Sequence, residues 1–93
     1  MRMLIEVTQE DIENGQPTVC RKCPIARATK RAFGKRDPVY DIAVDTEDIL
    51  VILNNAEYRC KPTPEMVDFI NMFDCMEEVK PFSVELEFRE LKY

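Results

Sequence analysis

The stretch 24–34, Pro-Ile-Ala-Arg-Ala-Thr-Lys-Arg-Ala-Phe-Gly, constrains the fold of this chain more than any other. Proline belongs at the first position of a helix, where its missing N–H is no loss and its fixed φ is already helical. Gly34 stands just past the last periodic residue and is the expected stop. Ile25, Ala28, Thr29, Ala32 and Phe33 fall on one stripe at helical spacing, with Arg27, Lys30 and Arg31 on the opposite face. The apolar stripe has to be buried, and its alanines let the helix lie close to a sheet. That places the basic face outward.

The rest of the chain supplies the sheet. Met3–Val7 alternates as a strand, with Met3, Ile5 and Val7 on one face and Leu4 and Glu6 on the other. Thr8, followed three residues later by Asp11, has the form of a helix cap, so 8–15 reads as one or two helical turns stopped by Gly15. Residues 16–22 are loop. A turn at 35–38 leads into a hairpin of Val39–Val44 and Ile49–Leu53, whose second arm is aliphatic throughout and expected to be buried on both faces. Asn54-Asn55 ends it, and Tyr58–Cys60 is a short further strand. Thr63-Pro64 repeats the helix-opening signature for a second helix reaching about Asp74. Pro81–Phe88 alternates strictly and turns Phe82, Val84, Leu86 and Phe88 inward. Ninety-three residues make one domain, 1–93. The order β-α-β-β-α-β predicts a two-layer α+β domain in a ferredoxin-like arrangement.

The second helix carries apolar residues around most of its circumference. Met66, Ile70 and Phe73 are expected in the core. The surplus, chiefly Phe69 and Met72, is either further core or the surface of a homodimer.

Composition removes most enzyme classes. The chain has no histidine, which excludes Ser-His-Asp and Cys-His catalysis and any imidazole-ligated metal. Its two glycines lie far apart, so no phosphate-cradling glycine loop exists. No apolar run approaches the length of a membrane helix, and the amino terminus does not read as a signal peptide, so a cytoplasmic location is expected. Asp45, Glu47 and Asp48 read as a solvated turn. Tyr40, Tyr58 and Tyr93 do not interleave with the basic run, so no base-stacking platform is expected.

The formal net charge of −5 hides a partition. Arg21, Lys22, Arg27, Lys30, Arg31, Lys35 and Arg36 form a segment of +7 without an acid, inside a remainder of −12. One reading is a solvated basic helix neutralised by the protein's own acids. The other is a footprint for an acidic protein or for nucleic-acid phosphates. With no Asn or Gln placed to read base edges, any nucleic-acid binding would carry little sequence preference.

Cys20 and Cys23 have the C-x-x-C spacing of a zinc knuckle, and a structural zinc site would need Cys60 and Cys75 as its other ligands. The redox use of the motif puts its first cysteine at a helix N-terminus, whereas here Pro24 opens the helix after the second. Beside that N-terminus and its cations, Cys23 is expected to have a lowered pKa.

The run Thr8-Gln9-Glu10-Asp11-Ile12 with Gly15, then Cys23-Pro24-Ile25-Ala26, resembles the front half of a family of small, mostly uncharacterised bacteriophage and prophage proteins. The back half is similar too, with its proline-led helix ending at Phe73-Asp74 and Pro81-Phe82-Ser83-Val84-Glu85-Leu86. The resemblance implies a fold and a phage origin and transfers no catalytic residue. Arg27 stands where an apolar residue is expected, which makes this first helix more basic. Together these readings lead to a non-enzymatic accessory protein that binds an acidic host partner through its basic helix. A four-cysteine zinc module and a virion or homodimeric structural protein are the alternatives.

Overall fold

The computed structural model describes residues 1–54 and 56–92 and, for residue 92, the backbone alone; Asn55 of the expected Asn54-Asn55 turn and Tyr93 lie outside them. The elements are β1 (Arg2–Val7), α1 (Gln9–Asn14), α2 (Pro24–Gly34), β2 (Asp41–Val44), β3 (Ile49–Ile52), β4 (Ala56–Cys60), α3 (Pro64–Asp74), β5 (Phe82–Glu87) and β6 (Arg89–Lys92). The chain is an α+β domain, as its patterning predicts. Its sheet differs from the ferredoxin-like expectation. Among the described residues there are two antiparallel sheets, β1–β5 and β2–β3–β4–β6, and every pairing in them is antiparallel.

The division follows from the last strand. β5 pairs with β1 along its whole length, Arg2 opposite Glu87 through Val7 opposite Phe82. The chain then crosses at Phe88 and continues as β6 against β4. Phe88 is buried, and its N–H donates to the Met1 carbonyl at 2.7 Å, one further rung of the β1–β5 ladder. Its ring meets Phe33 edge-on with centroids 5.0 Å apart, and Phe33 in turn lies 5.5 Å from Tyr58 of β4. The end of α2 is thus locked where the two sheets meet.

α2 forms as expected, with Pro24 at its first turn and Cys23 as N-cap, the Cys23 Sγ accepting from the Ala26 N–H at 3.4 Å. Ile25, Ala28, Thr29 and Phe33 are buried, Ala32 is half-buried, and α2 packs against β1, α1 and β2. Gly34 is the last helical residue and does not have positive φ, so it is no left-handed stop. Gly15 is required by contact. A Cβ there would stand 2.8 Å from the Asp11 carbonyl and 2.8 Å from the Pro24 ring, where α1 ends against the start of α2.

Two burial expectations change. In β3 only Ile49 and Val51 are fully buried, while Leu50 and Ile52 are half-exposed, so the strand is covered on one face. In α3, Phe69 is buried, its ring 4.9 Å from Phe82 and stacked 6.2 Å from Phe73. Phe69 is therefore core and is not available to a dimer surface. Met72 is exposed. The outer edge of β2 is closed at one end by the loop before α2, where Val44 N–H donates to the Cys20 carbonyl at 2.9 Å, and at the other by the strand's own Asp41, whose Oδ1 accepts from the Ile42 N–H at 2.8 Å. Among the described residues no helix is long and apolar enough to cross a membrane.

Candidate functional site

The site grows from one buried carboxylate. Thr8 caps α1, its Oγ1 accepting from the Asp11 N–H at 3.2 Å while Asp11 Oδ2 accepts from the Thr8 N–H at 3.0 Å. This reciprocal cap is what the Thr8/Asp11 spacing predicts. The same carboxylate has a second role that the spacing does not reveal. It is buried, and Arg31 of α2 clasps it with two parallel bonds, Nη1 to Oδ1 at 2.9 Å and Nη2 to Oδ2 at 2.8 Å. Arg31 Nη2 also donates to the Glu6 carbonyl of β1 at 2.7 Å. Arg27 Nε lies 3.4 Å from Asp11 Oδ1, an ion pair without hydrogen-bond alignment, and is buried with no hydrogen-bond partner among the described residues. Burial pushes the Asp11 pKa up, but the bonds from Arg31 and from the Thr8 N–H, with the charge of Arg31, outweigh it and hold the group at about 2.

The seven cations therefore divide. Arg31 and Arg27 do not simply face outward: they tie α2 to α1 and β1. Arg21 forks onto Asp41, Nε to Oδ1 at 3.0 Å and Nη2 to Oδ2 at 3.2 Å, and pins the loop over the β2 edge. That contact raises the Arg21 pKa and lowers that of Asp41. Arg36 reaches back to Met1 Sδ at 2.7 Å. The ammonium groups of Lys22, Lys30 and Lys35 are exposed and have no ion-pair partner among the described residues. Arg27, Lys30, Arg31, Gly34 and Lys35 line an open groove of ≈490 Å³ on the outer side of α2.

The cysteines do not converge. All four are free thiols, and among the described residues no group of three or more His, Cys, Asp or Glu side chains could hold a metal ion. Cys20 and Cys23 share a cleft with Asp45 and Asp74, Cys60 lies in a different groove beside Glu87, and Cys75 is exposed at the C-cap of α3. The expectation of a lowered Cys23 pKa is reversed. Burial pushes this thiol up, because capping α2 draws the side chain into the core, and the nearby Asp74 adds to the effect.

Comparison of the chain with known protein families, with curated proteins and with solved structures finds no match. Its fold and surface define a small α+β domain with a basic groove on its central helix.

Proposed function

We propose that this is a non-enzymatic binding protein, a phage-type accessory factor of the host cytoplasm, and that α2 and its flanks hold an acidic partner, a host protein or nucleic-acid phosphates. The observation that carries this reading is the set of ammonium groups at Lys22, Lys30 and Lys35 that have no ion-pair partner among the described residues, on a chain whose remaining segments carry a net charge of −12. A protein with eighteen acidic side chains has acids enough to neutralise these lysines, yet among the described residues they stand without ion-pair partners. The arginines of the same segment brace the helix that presents them. Absence of histidine from the whole chain supports binding over catalysis.

The test reverses charge only where the fold does not depend on it. Replacing Lys22, Lys30 and Lys35 together by glutamate should leave the thermal midpoint near that of the parent and abolish capture of partners from host lysate. Capture by the triple variant equal to the parent overturns the proposal. Parallel lysates with and without nuclease separate the two partner types, and a nucleic-acid complex should weaken steeply between low and physiological salt.

A further inference from the structure

We propose that the groove along α2 is a seat for one phosphate group of a nucleic-acid strand, kept open by Gly34. This rests on the reading of α2 as the partner-binding face and names the chemistry it takes.

The groove residues recur at positions 27, 30, 31, 34 and 35, so they form a single strip down one side of the helix. Four are cations, and the glycine lies among them. Inside a helix glycine is less stable than alanine, but Gly34 is the last residue of α2, where that cost is smaller, and neither geometry nor crowding demands it. Gly34 is helical without positive φ, and beyond its chain neighbours and its own helix backbone a Cβ built on it would meet nothing within 4 Å among the described residues. Gly15 is the contrasting case, crowded on two sides. A side chain at position 34 would enter the groove, and glycine leaves that space open.

The surrounding groups favour phosphate. Asp11 consumes the fork of Arg31 and draws in the Nε of Arg27, while Lys30 and Lys35 line the groove with no ion-pair partner among the described residues. A tetrahedral anion accepts bonds from several sides at once, and lysine meets phosphate as a compact charge. In sequence, cations flank α2 on both sides, Lys22 before it and Arg36 after it. Eleven helical residues span about 16 Å, room for more than one phosphate of an extended strand. Among the described residues no aromatic ring lines the groove, so no base-stacking platform is offered there.

Fluorescence anisotropy with a fluorescein-labelled twelve-residue oligothymidylate tests this. Gly34→Gln keeps the charge and fills the notch. It should melt no lower than the parent and bind at least tenfold more weakly, with Gly34→Ala between the two. Inorganic pyrophosphate should displace the oligonucleotide from the parent protein. Changing Lys30 and Lys35 together to Gln should flatten the dependence of log K on log salt by about 1.4. If Gly34→Gln binds like the parent, the notch is wrong, while a loss in the lysine pair alone would leave the basic-face reading standing. If a phosphoserine peptide binds at this groove and the oligonucleotide does not, the nucleic-acid assignment is overturned.

Discussion

Asp11 shows how one side chain can serve both local and tertiary structure. Its ordinary pKa is 3.8 and its folded value about 2. A depressed carboxylate contributes stability that is complete above the unfolded value and fades as pH falls through the folded one, so the loss runs from about pH 4 to about pH 2. The difference corresponds to about 2 kcal/mol. Asp11→Asn should cost about 2–3 kcal/mol at neutral pH, because it strands the Arg31 fork; the partial exposure of Arg31 moderates the usual loss for a broken buried pair. Urea titrations from pH 2 to pH 7 check both statements, since the variant should also lose the parent's stability slope at the acid end. Thr29 is the opposite case. Its Oγ1 is buried with no hydrogen-bond partner among the described residues. Thr29→Val keeps the shape, removes the unmade bond and should raise stability by about 1 kcal/mol in the same titration. A loss there would mean that the hydroxyl does find a partner.

At the level of elements, the helices were the most legible part of the chain. Pro24 and Thr63-Pro64 announce both long helices; Thr63 is the observed N-cap of α3, while the cap of α2, Cys23, is a residue type that the pattern does not single out. Their signals are local: a cap, a fixed φ and a stripe of apolar residues. β1 and β5 were also readable, from alternation alone. β6 was not. Arg-Glu-Leu-Lys has no apolar alternation, and it becomes a strand only because β4 offers it an edge some thirty residues away in sequence, with Tyr58 opposite Glu90. The same reason hid the role of Asp11. Thr8 already accounts for an acid at that position, and its other partner lies twenty residues on. The seven-cation segment was visible as composition, but composition does not separate the arginines that brace the fold from the lysines that do not. Gly15→Ala tests the tightest joint between elements. With its Cβ 2.8 Å from both a carbonyl and a proline ring, the variant should lose about 1–3 kcal/mol by overpacking, read as a lowered thermal midpoint.

At the scale of the molecule, the two sheets share one core, which runs from Ile5 and Leu86 through α2 to Ile42, Ile49 and Val51. Two sheets of two and four strands are each small, and a two-stranded ribbon is marginal on its own. Their union depends heavily on the single residue at which the last strand changes sheets. Phe88→Ala should cost about 3–5 kcal/mol, at the upper end for a core phenylalanine, since it removes the ring that Phe33 packs against at the sheet crossing. Phe88 has a kinetic meaning as well. A chain that splits its strands between two ladders would ordinarily open them separately, the smaller one first. Here the ribbon cannot peel away without dragging β6 from its neighbour, so the amides of Val84 and Tyr58 should exchange with solvent at a common opening free energy. Hydrogen exchange that resolves two distinct values would show the ladders to be independent; a single value would make Phe88 the rivet of one cooperative unit.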